Sequence, residues 1–272
     1  MNAGDEASFQ ALTQTISQAA GLALHAYKQK CLRRRIAVRM RACGVHTYKA
    51  YQSLLGERPD EYQHLKDTLT INVTRFYRNR ETWESLADTI LPALFQAREG
   101  HVRVWSAGCA SGEEPHTLAM LFADQSERLG RRHWLDRVHI DATDIDRECL
   151  ARAEAGRYPA SAFDEAPALH RDEYCRPIGE EYEVVPRLRS LVHVRQLDLI
   201  RDPPLHSSYD LIVCRNVVIY FDRPTQLQLF TVFADVLSDD GALVLGKVET
   251  MFGEAQKRFT LLDVRERIYQ VA

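Results

Sequence analysis

The chain has 272 residues, 45% of them hydrophobic and 27% charged, with a formal net charge of −3. That length suits one large domain or two, and no apolar run approaches the roughly 18 residues of a membrane span. The opening MNAGDEASFQ lacks a basic segment followed by an apolar one, and the six cysteines stand without a CxxC pair, so a cytoplasmic, reducing setting is expected. The ten histidines form no HExxH and no ligand cluster along the chain, so no metal site is expected. Charge is unevenly placed, with +6 on residues 1–50 and −9 on the remainder.

The first region reads as helix. Phe9, Leu12, Ile16 and Ala19 make one apolar stripe, and Leu32, Ile36 and Met40 make a second that ends at Gly44, in the place of a C-cap. Lys30, Arg34 and Arg41 share a face of the second helix, and Arg35 and Arg39 run beside its apolar stripe. Such a run is either a solvated face or a docking surface for an anionic partner. Interleaved aromatics for base stacking are missing and the chain as a whole is acidic, so an acidic protein surface fits at least as well as nucleic acid.

Tyr62, Leu65 and Leu69 continue the helical pattern to Thr70–Asn79, a polar, β-branched and basic break before Trp83, Leu86 and Ile90 resume it. The break is either a plain helix connection or a place where Asn72, Thr74 and Arg78 converge on a carboxylate, for which the rigid guanidinium fork of arginine is suited. Polar residues 96–100 read as a linker.

A buried strand over Val102–Ala107 then runs into Gly108-Cys-Ala-Ser-Gly112 and a helix whose first turn carries Glu113 and Glu114. The glycines let the backbone approach a ligand, but the spacing is not GxGxxG and two carboxylates repel a pyrophosphate. They either complement the helix dipole or receive a cationic, amine- and hydroxyl-bearing ligand such as S-adenosylmethionine. A second apolar run, Val138–Asp146, ends in Asp144 and Asp146, either placed to accept from ribose hydroxyls. Its interval from the turn exceeds the roughly 20 residues of the dinucleotide fingerprint. Strands follow at Leu191–Val194, Tyr209–Cys214 and Ala242–Leu245, with a helix over Thr225–Leu237 and a closing hairpin of Phe259–Asp263 and Arg267–Val271.

Four segments together carry a resemblance: Asn72-Val-Thr-Arg-Phe-Tyr-Arg78, Ser106-Ala-Gly-Cys-Ala-Ser-Gly-Glu-Glu-Pro115, Thr143-Asp-Ile-Asp146 and Cys214-Arg-Asn-Val-Val-Ile-Tyr-Phe-Asp222. In identity and order they resemble the motifs of the chemotaxis receptor methyltransferases, the CheR family. The resemblance implies an α/β protein, with a Rossmann-like S-adenosylmethionine methyltransferase sheet bearing helices on both faces. It also implies an N-terminal all-helical docking domain (1–95) and a methyltransferase domain (96–272) with a small β-subdomain insert near 175–195. The implied activity is methyl transfer from S-adenosylmethionine to glutamate carboxylates on the cytoplasmic helices of chemoreceptors, leaving S-adenosylhomocysteine.

By motif match, Asn72, Thr74, Arg78, Glu113, Asp144, Asp198, Leu199, Asn216 and Val217 line the cofactor, and Arg78 and Tyr220 act near the transferred methyl. Without the match, Tyr220 reads as an aromatic packed among Val218, Ile219 and Phe221. The resemblance also gives Arg33, Arg34, Arg35, Arg39 and Arg41 a partner, the glutamate-rich receptor helices. The chain departs from the family at Asp198-Leu199, where Asn-Leu is usual, at Gly246-Lys-Val-Glu249, where Gly-His-Ser-Glu is frequent, and at His116, where Tyr is common. The Pro177–Glu181 turn is short and lacks the glycine-rich loop of members that bind a receptor's C-terminal pentapeptide tether, so tether binding is not expected; neither is membrane insertion or nucleic-acid binding. Two rival readings remain, a non-catalytic cofactor-binding adaptor and a nucleic-acid methyltransferase. The second lacks an Asp/Asn-Pro-Pro-Tyr motif.

Overall fold

The computed structural model describes residues 3–70, 72–97 and 100–272. The chain forms two compact units, one of Met1–Asn72 with Tyr220–Gln226 and one of Val73–Ile219 with Leu227–Ala272. The smaller unit is built on α1 (Ala3–Ala20), α2 (Gln29–Ala42), α3 (Tyr48–Glu57) and α4 (Pro59–Leu69). Its buried faces follow the predicted stripes, with Phe9, Leu12 and Ile16 of α1 and Leu32, Ile36 and Met40 of α2 inside, but Ala19, the last member of the α1 stripe, is exposed. Helix α2 stops as its sequence requires: Gly44 takes φ +70°, its N–H reaches the Arg41 carbonyl, and the Val45 N–H reaches back to Met40.

A carboxylate sits within this unit. Glu61, only 1% exposed, accepts two guanidinium N–H bonds from Arg39 at 2.9 and 2.6 Å and the Tyr51 hydroxyl at 2.7 Å. Burial opposes its ionisation, yet the bonds from Arg39 and Tyr51 hold the carboxyl down at about 2.

That arrangement corrects the expected five-arginine docking surface. Arg39 is engaged by Glu61, Arg35 is buried with one N–H on the Leu69 carbonyl and its guanidinium 4.6 Å from the Tyr220 ring, and Arg33 bonds Glu6 at 2.6 Å while lying over Phe9. Arg34 and Arg41 remain exposed. Helical periodicity gives the direction of a side chain but not the partner waiting there, and Glu61 and Leu69 lie on a different helix.

The larger unit opens with α5 (Arg80–Thr89), α6 (Leu91–Ala97), β1 (Val102–Ala107), α7 (Glu113–Arg128), β2 (Val138–Asp144) and α8 (Arg147–Ala155). There follow β3 (Arg157–Pro159), α9 (Ala168–Tyr174), β4 (Cys175–Ile178), β5 (Glu181–Val184), α10 (Pro186–Arg189) and β6 (Val192–Gln196). The chain ends through β7 (Tyr209–Cys214), α11 (Arg223–Val236), β8 (Leu237–Leu245), β9 (Phe259–Asp263) and β10 (Ile268–Val271). The main sheet has the order β6-β2-β1-β7-β8-β10-β9. Strands β6, β2, β1, β7 and β8 are parallel, and β10 pairs antiparallel with both β8 and β9. Strand order reverses between β1 and β7, which leaves a crevice at the carboxyl ends of the central strands. Val104, Ile140, Leu211, Val213 and Val244 pack with Leu118 and Phe122 of α7 in the main core.

Two boundaries differ from expectation. Composition puts the domain division at 95, but Trp83, Leu86, Leu94 and Phe95 of α5 and α6 enter the same core as α7, and the units divide after Asn72. Of the expected linker over 96–100, Arg98 and Glu99 lie outside the described residues, as does Ile71 of the polar break. The insert is a three-stranded antiparallel sheet, β3-β5-β4, whose β4–β5 turn is Gly179-Glu180. Residues 188–194 leave it, because Val192–Gln196 pairs with β2 as the edge strand of the main sheet.

Candidate functional site

The carboxyl end of β1 turns at Gly108, whose φ is +82° and where a Cβ would fall 2.5 Å from Val217 Cγ2. The N–H groups of Gly108 and Cys109 both reach the Thr143 carbonyl, at 2.8 and 2.9 Å, and fasten the turn to β2. Gly112 is fixed in the same way, since a Cβ there would meet Ala153 Cβ at 2.6 Å. The sequence thus places β7, β2 and α8 against a turn that only glycine can make at these two positions.

Carboxylates surround this turn. Asp144 accepts the Ala110 N–H at 2.9 Å on one oxygen and the Asp146 N–H at 3.0 Å on the other. Asp146 caps α8 by accepting from Glu148 and Cys149 at 3.0 and 3.3 Å, so of the two acids at the end of β2 it is Asp144 that stands at the turn. Glu113 accepts from Ser111 Oγ at 2.8 Å, and burial raises its pKa and that of Asp144. Glu114 accepts from Ser106 Oγ at 2.9 Å; burial pushes it up to about 7 against the opposing charge of Arg215, whose Nη1 is 3.8 Å away.

Arg215 and Glu249 went unassigned in the sequence, and both organise the site. Buried Arg215 donates to the Arg78 carbonyl and to Asn79 Oδ1, each at 2.9 Å, and its guanidinium covers the Trp83 ring. It ties the Arg78 segment to the end of β7. Arg78 itself donates to the Val73 carbonyl at 2.9 Å, and its charge is felt by Glu114. Glu249 accepts backbone N–H groups of Gly246, Asn216 and Ile219 at 2.6, 2.9 and 3.2 Å, holding the loop after β7 in place. The signal was there in the Glu retained at the end of Gly246-Lys-Val-Glu249.

Asn216, at φ +61°, keeps its side-chain Oδ1 buried without a protein hydrogen bond, and Asp198 Oδ2 is buried with Arg201 Nε 3.7 Å away. Leu197, beside Asp198, donates to the Asp144 carbonyl at 3.0 Å, which brings the Asp198-Leu199 segment to the end of β2. Of the six non-glycine residues with positive φ among those described, four (Tyr77, Asn79, Ala110 and Asn216) lie in these segments. The structure therefore collects Arg78, Glu113, Asp144, Asp198, Leu199, Asn216 and Val217 in segments at the carboxyl end of the sheet. Thr74 is half-buried near the start of the larger unit. Asn72 and Tyr220 belong to the smaller unit, Tyr220 held beside Arg35.

Neither His116 nor the cysteines of these segments stand ready as a base or nucleophile. His116 is buried, which lowers it to about 4, and its Nδ1 lies 2.8 Å from the Gly112 carbonyl and 3.1 Å from the Tyr158 hydroxyl. Cys109 and Cys214 are buried and their thiols pushed well up, so neither is a thiolate nucleophile. Away from these segments, His139, Asp141 and His206 bring ligand atoms within 4.8 Å of one another, a grouping that the linear sequence does not display. His139 and Asp141 are two apart on β2, and His206 joins them from the segment before β7.

The orphaned Asn216 acceptor, the carboxylates and the bare glycine turn fit S-adenosylmethionine, whose ammonium, hydroxyl and amino groups are donors and whose sulfonium is a cation. Residues 72–268 match a family model described as "CheR methyltransferase, SAM binding domain", and residues 7–70 one described as "CheR methyltransferase, all-alpha domain". A chemotaxis protein methyltransferase of Listeria monocytogenes is 33% identical over 251 residues, 92% of this chain and 93% of that protein. The chemotaxis protein methyltransferase of Escherichia coli is 32% identical over 263 residues (94% and 88%), and chemotaxis protein methyltransferase 2 of Pseudomonas aeruginosa is 33% identical over 246 residues (89% and 85%).

Proposed function

Because the chain belongs to the CheR family of S-adenosylmethionine-dependent methyltransferases, we propose that it esterifies glutamate side chains on the cytoplasmic helices of chemoreceptors, giving glutamyl methyl esters. The observation that carries this reading is the acceptor-rich rim of the glycine turn: Glu113, Asp144 and Asn216 Oδ1 receive donors and positive charge and reject phosphate. Bound S-adenosylmethionine supplies a methyl carbon activated by its positive sulfur.

The work left to the protein is positioning. A glutamate with an ordinary pKa of about 4.3 is ionised at neutral pH, so the nucleophile needs no base, in keeping with His116 being neutral and enclosed. Correct alignment of two reacting groups is worth about 7–11 kcal/mol. Arg78, on a segment anchored by Arg215, orients the incoming carboxylate. By the family match, Tyr220 is a second candidate to act near the transferred methyl. Exposed Arg34 and Arg41 steer the anionic receptor helix. No helix among the described residues is long and apolar enough to cross a membrane. The tight Gly179-Glu180 turn supports the absence of tether binding, and the acidic chain supports the absence of nucleic-acid binding.

The test is incubation with methyl-labelled S-adenosylmethionine and receptor cytoplasmic fragments, followed by mild alkali. Label should leave as methanol, and Arg78→Ala should lower transfer by about 100-fold while cofactor is still bound. Cofactor binding without transfer to any fragment would favour the adaptor, and alkali-stable label would mean methylation at nitrogen or carbon.

A further inference from the structure

We propose that the larger unit carries a divalent transition-metal site, of the kind that takes Zn²⁺, formed by His139, Asp141 and His206. His139 and Asp141 are two apart on β2 and so project from one face of the sheet. His206 comes from the segment between β6 and β7. Their ligand atoms all lie within 4.8 Å of one another, with His139 Nε2 3.1 Å from Asp141 Oδ1 and His206 Nε2 3.3 Å from Asp141 Oδ2. Tetrahedral zinc with bonds of about 2.0–2.1 Å spaces its donors about 3.3 Å apart, a spacing that each imidazole already has to one oxygen of Asp141, while the ligand atoms as a set lie within 4.8 Å and would draw together around an ion.

The surroundings match the chemistry of such a site. Asp141 is 3% exposed, and its Oδ2 accepts the Tyr209 hydroxyl at 3.0 Å, an outer partner that orients a carboxylate ligand. Tyr209 is itself fixed by stacking on Trp105, with ring centroids 5.3 Å apart. His193, in register with Asp141 on β6, stacks on the His139 ring at 3.9 Å and restrains its orientation. Both ligating histidines are partly exposed, which gives an ion a path in. Two imidazoles and one carboxylate favour zinc, nickel or copper over magnesium or calcium, and three protein ligands leave a fourth position for water. The site is not the cofactor crevice: Asp141 lies three residues before Asp144, about 10 Å along the strand. A bound ion would tie the 201–208 segment to β2.

The test uses the tag-free full chain, stripped with chelator and titrated with Zn²⁺ in equilibrium dialysis and with Co²⁺ in visible absorption. The expected result is one Zn²⁺ per chain, a tetrahedral Co²⁺ band displaced by Zn²⁺, and a higher thermal midpoint with metal. His139→Gln and His206→Gln should each abolish the band, Tyr209→Phe should weaken binding about 10–100-fold, and exposed His133→Gln should change nothing. His206→Gln alters only a loop side chain and keeps the test decisive if His139→Gln destabilises the strand. No stoichiometric binding, or binding that survives His206→Gln, would overturn the site.

Discussion

Each unit buries a glutamate, and the two are held in opposite states. Glu61 in the smaller unit is closed by Arg39 and Tyr51 at 2.6–2.9 Å and kept ionised down to about 2. Glu114 in the larger unit has its arginine at 3.8 Å, because Arg215 gives its better bonds to the Arg78 carbonyl and Asn79, and burial carries it up to about 7. The first is a completed ion pair that fastens helices. The second is an incomplete pair in a crevice, and the incompleteness leaves charge available to a ligand.

The most damaging way to break the comparison is Glu61→Gln, which strands Arg39 and should cost about 3 kcal/mol of stability in chemical denaturation at neutral pH. The wild-type contribution is present above the ordinary carboxyl value of 4.5 and is lost as pH falls from there toward about 2. For Glu114 the sign is reversed: its raised pKa means that stability is lost as pH rises from 4.5 to about 7. Glu114→Gln should therefore flatten that slope and raise the thermal midpoint at alkaline pH.

The next effect sharpens the ligand side. With Glu114 titrating near 7, affinity for S-adenosylmethionine measured by calorimetry should rise about 10-fold between roughly pH 6 and pH 8. In Glu114→Gln it should be level at the lower value. A wild-type affinity independent of pH would show that the carboxylate is structural after all. The smallest effect concerns the exposed arginines. Charge reversal of Arg34 and Arg41 together should slow receptor methylation about three-fold at low salt and scarcely at high salt, with free S-adenosylmethionine binding unchanged.

The sequence made some of this legible and hid the rest for definable reasons. Contiguous features came through: the strand, Gly108, Gly112 and the acidic helix start are local, and so are the stripes of α1 and α2. The family resemblance rested on such runs. Hidden features depend on residues distant in sequence. Arg39 meets Glu61 across 22 positions, Arg215 meets Asn79 across 136, and His206 meets Asp141 only once β7 and β2 lie in one sheet. The domain boundary was misplaced for the same cause, since the apolar faces of α5 and α6 say nothing about which core receives them. Asp144 and Asp146 looked equivalent until the start of α8 made one of them a cap.

The left-handed residues around the crevice bear on how this protein can be engineered. Tyr77 and Ala110 hold positive φ angles that glycine would adopt freely, at a cost of about 1–3 kcal/mol for each such residue; for Asn79 and Asn216 the cost is smaller, because asparagine tolerates that region. A screen that rewards heat resistance alone would find glycine at Ala110, but not at Tyr77, whose buried ring contributes more to the core than its backbone angle costs. Selection for toughness thus pulls first on the segments that shape the crevice, and a stabilised variant should be sought in the smaller unit, where no described non-glycine residue up to Thr70 has a positive φ.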